Sequence, residues 1–305
     1  MLRIGPAGAP ISTPSPRGTL EGVRRCKELG LPAMEVEFVQ GVRMKSDLAA
    51  TIGIESQRLD ISLSVHGPYF VNLCSDEPAK LANSRRHLLQ SAQMSSLMHA
   101  SPVVFHPGFY QGRPKEECAK RAKAQLQQVL DEMGQQRWDE VALGPELTGK
   151  QSAYGDLDEI LELARHFGIK AVQPVVDFGH YHARLGRLSA PEDFAAILDK
   201  AEKVLGSDYK KGFHCHYSEI SFSQAGELKH LPIGNGQPKP GPKPGSGAGG
   251  PPYQPLLDLL NERGYSGTVI CESPELENDA KILWDYYRKI SGAGPPRAKA
   301  AAKKK

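Results

Sequence analysis

The sequence has no pair of cysteines at the spacing of a zinc knuckle or a redox motif. Its five cysteines, Cys26, Cys74, Cys118, Cys215 and Cys271, are scattered and odd in number. This argues against a disulfide scaffold and for a reducing compartment. Runs of about 18 apolar residues are missing, so no membrane-spanning helix is expected. The opening MLRIGPAGAPIST lacks the apolar core of a secretion signal, and the expected location is the cytoplasm. A strong charge of one sign is also absent. Lys and Arg number 38 against 35 Asp and Glu, and the net +3 is no argument for nucleic-acid binding. Part of the excess is local: PPRAKAAAKKK, from Pro295, reads as the end of a disordered basic tail over 293–305.

What is present is a chain of 305 residues, 39% apolar, long enough for a sizeable core. Short apolar runs alternate with longer amphipathic segments. The runs are LRIG (2–5), AMEVEF (33–38), SLSVHG (62–67), PVVFHPG (102–108), EVALGPE (140–146), VQPVVDF (172–178), GFHCHYS (212–218) and TVICES (268–273). Strands alternating with helices predict a parallel α/β fold, and a count of eight favours a closed (β/α)8 TIM barrel over an open sheet. The barrel is expected over 1–292 as a single domain. Ala190-Pro191-Glu192-Asp193 reads as a helix start, and Gly30, Gly168 and Gly264 as helix stops. A last helix is expected over 276–290.

One segment breaks the alternation. QPKPGPKPGSGAGGPP (237–252) is too rich in Pro and Gly for regular structure and reads as a flexible insertion after strand seven. Its GxGxxG at Gly245, Gly247 and Gly250 follows no strand and is flanked by prolines, so no nucleotide cofactor is expected. Insertions there lie on the catalytic face of a barrel, which puts Lys239 and Lys243 within reach of a ligand.

Functional residues of such barrels come from the C-terminal ends of the strands. Strand three ends at His66, strand four at His106 and strand five at Glu146. Strand six ends at Asp177, with His180 three residues on, and strand eight at Glu272. Strand seven carries His214 and His216, on one face at a spacing of two, with Glu219 beyond; Glu227 and His230 follow in the next loop. So many imidazoles and carboxylates aimed at one place need a counter-charge. A divalent cation supplies it, and mixed His/carboxylate donors suit Zn²⁺, Mn²⁺ or Fe²⁺ over Mg²⁺ or Ca²⁺. The donors exceed what one four-coordinate ion takes, so two or three ions are expected. Clustered ions suit phosphate-ester cleavage.

VHGPYFVNL (65–73), VFHPG (104–108), VVDFGH (175–180) and ICESP (270–274) resemble the motifs of the endonuclease IV family of metal-dependent apurinic/apyrimidinic endonucleases. The resemblance runs over about residues 1 to 290, apart from the 237–252 insertion. It implies a trinuclear zinc site, with Mn²⁺ as a second choice of ion. The implied ligands are His66, His106, Glu146, Asp177, His180, Glu272 and one histidine of strand seven. Glu146 and Glu272 would bridge ions and carry the catalysis. A metal-activated hydroxide would cleave the phosphodiester 5′ to abasic sites. The implied partner is damaged double-stranded DNA, with no membrane partner and a monomeric enzyme. Tyr69 matches an aromatic that the family inserts into the duplex, and Arg43 lies at the position of a DNA-contacting loop; a rim aromatic and a solvated loop are the plainer readings.

Three stretches differ from the family pattern, one of them GPELTG around Glu146, where many members have Glu-Asn-Thr. The family's strand-seven HLND is HCHYSE here. Laying His216 and Glu219 on that motif matches both ends, which favours His216 as ligand and leaves His214 as its neighbour or as core. The family's D-x-H pair is replaced by Glu227 and His230, spaced three apart. An alternative function is a single-metal sugar isomerase or epimerase on the same barrel, needing only Glu146, Asp177, His216 and Glu272. A barrel that only binds nucleic acid would leave the ligand cluster unexplained.

Overall fold

The computed structural model describes residues 1–185, 188–234, 239–240 and 246–292. Eight parallel strands form the barrel: β1 (Leu2–Pro6), β2 (Ala33–Glu37), β3 (Ser62–His66), β4 (Val103–Phe105), β5 (Leu143–Pro145), β6 (Val176–Asp177), β7 (Lys211–Tyr217) and β8 (Ser266–Cys271). Their ladders run β6-β7-β8-β1 and β2-β3-β4-β5. Parallel bridges Ala7–Glu35, Leu143–Val172 and Glu146–Val175 join the two halves at both seams. The sheet therefore closes, and the expected TIM barrel is the fold.

The strands read as near-continuous apolar runs because helices cover the outside of the barrel. Those helices are α1 (Thr19–Leu29), α2 (Ser46–Leu59), α3 (Pro78–Met98), α4 (Lys115–Gln135), α5 (Leu157–Phe167), α7 (Pro191–Leu205), α8 (Tyr253–Glu262) and α9 (Glu277–Ser291). A short helix, α6 (Phe178–Leu185), is added directly after β6. Pro191 opens α7 as expected, and Asp193 accepts the Ala190 N–H at its start. Gly30 closes α1 in the left-handed region at φ 74°. The barrel also uses glycine for close approach: a Cβ on Gly5 would lie 1.9 Å from the Ala33 carbonyl oxygen. Among the described residues no helix is long and apolar enough to cross a membrane.

The connection from β7 to α8 is more ordered than its composition suggests. It begins with an antiparallel hairpin, Glu219–Ser223 with Gly226–Leu231. Within the Pro/Gly-rich insertion, Gly247–Ala248 pairs with Ser221 and Phe222 of that hairpin and with Lys239–Pro240. Short strands thus stand where only irregular chain was expected, because an exposed hairpin edge offers backbone partners to any extended segment. Lys243, Gly245 and the basic tail 293–305 lie outside the described residues.

Candidate metal centre

Glu146, just past β5 and fully buried, is the hub of the barrel mouth. Its Oε2 lies 3.1 Å from His66 Nε2 and 3.0 Å from His106 Nε2. Its Oε1 lies 3.2 Å from His180 Nδ1 and 3.3 Å from His216 Nδ1. The two oxygens of one carboxylate therefore face different sets of histidines. Glu272, beyond β8, places Oε1 3.2 Å from His216 Nδ1 and Oε2 4.0 Å from His230 Nδ1. Three groups of donor atoms result, each within 4.8 Å: His66, His106 and Glu146; Glu146, Asp177, His216 and Glu272; His180, His230 and Glu272.

Local structure prepares these side chains. Asp177 ends β6 and caps α6, accepting the His180 N–H at 2.5 Å. That single turn holds the D-x-x-H pair together on one side. His66 Nδ1 faces the Gly67 carbonyl at 2.8 Å, and His180 Nδ1 faces the Leu147 carbonyl at 2.9 Å. A carbonyl only accepts, so each Nδ1 carries hydrogen and each Nε2 is left as the donor for an ion.

The electrostatics call for positive charge. Burial alone would strip His66 of its proton, but the Glu146 hydrogen bond and the charge of Glu37 reverse this and lift it to about 10. His180 and His216 are likewise buried yet raised, by Asp177 and Glu227 in one case and by Glu35, Glu272 and Glu146 in the other. Burial pushes Glu146 and Glu272 up, and the neighbouring histidines more than offset it, leaving both well below the usual carboxylate range. Asp177 stays raised, by burial and by the charges of Glu272 and Glu146. Asp177 Oδ2, Glu227 Oε2 and Glu272 Oε2 are buried without a hydrogen-bond partner. Orphaned oxygens beside imidazoles fit divalent ions of the zinc type, and two or more can share the Glu146 and Glu272 carboxylates.

The spacing of Glu227 and His230 is resolved by a bulge. His230 lies on the second strand of the hairpin, not in a loop as the sequence reading placed it. An ordinary strand would send residues three apart to opposite faces. Here Ser221 pairs with Lys229 while Phe222 pairs with Glu227, so Leu228 is an extra residue. Glu227 and His230 sit opposite Phe222 and Ile220, two apart on one face. Leu228 is thrown outward, 65% exposed. Glu227 Oε2 reaches His180 Nε2 at 2.9 Å. Gly149 permits this, since a Cβ there would lie 2.2 Å from that same oxygen.

The two histidines of β7 divide between two layers. His216 enters the mouth cluster, and His214 lies one layer deeper, its Nε2 3.3 Å from Glu35 Oε2. Glu219 does not point to the cluster; it accepts the N–H groups of Gly234 and Gly250 and ties down the hairpin. His182 Nδ1 accepts the Leu188 N–H. Tyr69 stands at the rim, 54% exposed, its ring 5.3 Å from that of His66 and 5.5 Å from that of His106. Arg43 is exposed in the segment between β2 and α2. Sequence reasoning passed over Glu35 and Glu37. Their signal was present: two acids at i and i+2 inside the apolar run AMEVEF share one face of β2. Burial and the charges of Glu35 and Glu272 lift Glu37 to about 8, against the opposing pull of His66.

A family model described as a xylose isomerase-like TIM barrel matches residues 23–290. The chain belongs to that family. Relatives within reach of the xylose isomerase-like barrel carry different names. The uncharacterized protein MJ0133 of Methanocaldococcus jannaschii is 37% identical over 291 residues, 95% of this chain and 98% of its own. A probable endonuclease 4 of Finegoldia magna is 29% identical over 232 residues, 73% of each chain. Among solved structures, endonuclease IV from Thermus thermophilus superposes with a TM-score of 0.66 at 18% identity, covering 92% of this chain and 97% of its own. A D-tagatose 3-epimerase-like protein gives the same TM-score at 17% identity, covering 89% and 94%. These two superpositions speak to the fold alone.

Proposed function

We infer that this protein is a metal-dependent phosphodiesterase of the endonuclease IV type, cutting DNA 5′ to abasic sites. One observation carries the reading: the donors form overlapping groups, with Glu146 and Glu272 each shared between two of them. A mouth lined by Glu146, Asp177, Glu227 and Glu272 would repel a phosphodiester unless cations outweigh the carboxylates. Bound zinc-type ions would supply that charge, lower the pKa of water and stabilise the leaving oxygen. The proposed ligands are His66, His106, Glu146, Asp177, His180, His216, Glu227, His230 and Glu272. Glu146 lies between the histidine sets and orients the attacking water. Tyr69, on the rim above His66 and His106, stacks against the opened duplex, and Arg43 meets the phosphate backbone. The probable endonuclease 4 among the relatives supports the substrate class.

A second reading rests on one specific feature. Glu146, Asp177, His216 and Glu272 make a complete four-donor group by themselves, as a one-ion sugar epimerase needs. His66, His106, His180, Glu227 and His230 would then have no task. The deciding experiment incubates the zinc-replete protein with a duplex containing one abasic site and follows incision on a gel. Uncut duplex, together with epimerisation of a ketose, rejects the nuclease. His106→Ala separates the two further: it cripples the nuclease and spares a four-ligand epimerase.

A further inference from the structure

A second set of donors lies below the mouth. Glu35 on β2 touches His214 and His216 on β7, and β2 and β7 are not neighbours in the sheet. The contacts therefore cross the barrel interior. Glu35 is fully buried, and His214 and His216 are 2% and 0% exposed. Ser64 Oγ donates to Glu35 Oε2 at 2.6 Å, which fixes the carboxylate from the β3 side.

The geometry between Glu35 and His216 is not that of a hydrogen bond. Glu35 Oε1 and His216 Nε2 are 3.1 Å apart, yet each is a buried polar atom without a hydrogen-bond partner. The two groups approach but do not aim at each other. Donors about 2.1 Å from a tetrahedral ion stand about 3.4 Å from one another. Glu35 Oε1 stands 3.1 Å from His216 Nε2, close to that edge; Oε2 and His214 Nε2 are 3.3 Å apart and hydrogen-bonded, and the three groups offer donor atoms within 4.8 Å of one another. One carboxylate and two imidazoles form a donor set for Zn²⁺ or another borderline divalent ion.

An approach to this set exists from the opposite side of the barrel. A cleft of about 480 Å³ opens among the N-terminal ends of the strands, lined by Ser62, Gly212 and Gly267, and His214 forms part of its wall. Asp60 lines the same cleft and is ion-paired there with Arg3 at 2.7 Å, so the pair leaves the entrance without a net charge.

The geometry points to an additional divalent-cation site inside the barrel, made by Glu35, His214 Nε2 and His216 Nε2 beneath the mouth cluster. His216 then serves two ions, the mouth through Nδ1 and the interior through Nε2, and both of its ring N–H protons leave to solvent when both are filled. The interior ion ties β2 to β7 across the barrel and fixes the ring that the mouth uses. The site is independent of whether the mouth serves a nuclease or an epimerase.

The test is crystallographic. Crystals of the full chain grown with Zn²⁺ are measured on both sides of the zinc absorption edge. A zinc-specific peak at bonding distance from Glu35, His214 and His216 is expected, separate from any peak at Glu146 and Glu272. Lack of a peak between Glu35 and His214 overturns the site, whatever the mouth holds. Zinc content of folded Glu35→Gln and His214→Ala protein, checked by circular dichroism, gives the second measurement. Each is expected to lose one ion per chain relative to the unsubstituted protein. An unchanged content in both equally overturns the site and leaves Glu35 as a hydrogen-bonding support only. Should neither variant fold, the zinc-edge map of the unsubstituted protein decides alone.

Discussion

At their C-terminal ends the barrel strands deliver His66, His106, Glu146, Asp177, His216 and Glu272 to one place. At their N-terminal ends the same strands begin with small, apolar or solvated residues such as Leu2, Ala33, Val103 and Leu143. The floor is held by packing. Phe213, buried near the start of β7, meets the rings of Tyr209 and Tyr265 edge-on. The mouth is held otherwise: Asp177 Oδ2, Glu227 Oε2 and Glu272 Oε2 lack hydrogen-bond partners, and His66, His180 and His216 are driven to carry protons. One end of the barrel favours the folded chain on its own, and the other is completed by what it binds. Stability and chemistry are thus divided along a single strand direction, a few residues apart.

Substitutions at the two ends should therefore separate in what they damage. Glu146→Gln removes the shared hub and is expected to lower abasic-site incision well beyond the roughly 10–100-fold of an outer-shell change. Zinc content should fall with little change in the melting temperature of the metal-free protein. Phe213→Ala does the reverse: it should cost about 3–5 kcal/mol of stability, read by denaturant unfolding, with near-normal incision per folded molecule. Equal losses of stability in both variants would break the comparison. Glu227→Ala sharpens it within the mouth. It should release one ion and slow incision by about 10–100-fold while the ions at Glu146 remain. Tyr69→Ala touches only the rim, and should weaken binding of an abasic duplex by about 1–3 kcal/mol with unchanged zinc content.

The smallest effect lies outside both ends. Glu55 accepts hydrogen bonds from Arg58 and Arg24 at 2.7 and 2.8 Å on the helical surface, which holds it down to about 2. Its stabilisation is present above the unfolded value near 4.5 and is lost as pH falls toward 2. Melting temperatures of the native protein and Glu55→Gln should converge over that window and differ slightly at neutral pH.

The eight strands were legible because each is a short apolar run closed by a titratable residue or a turn, and a parallel barrel repeats that pattern. The mouth donors were legible for the same reason: strand ends are marked in sequence. Glu35 and Glu37 were less so: their spacing of two marks a shared face of β2, but nothing local announces that Glu35 meets His214 and His216 of β7 across the barrel. The hairpin after β7 was hidden by polar residues that read as loop. The short strands of the Pro/Gly-rich insertion escaped because they depend on an edge supplied by Ser221 and Phe222, not on their own propensity.

The bulge at Leu228 has a consequence for how such sites vary between relatives. What an ion senses is the face of a strand, whereas a pattern in the sequence counts residues. A bulge uncouples the two, since it absorbs one residue without moving either ligand. A chain that lost Leu228 would bring Glu227 and His230 to the spacing of two and keep them on the same face. A search at fixed spacing would score these chains as different, although the pocket is offered the same pair of donors.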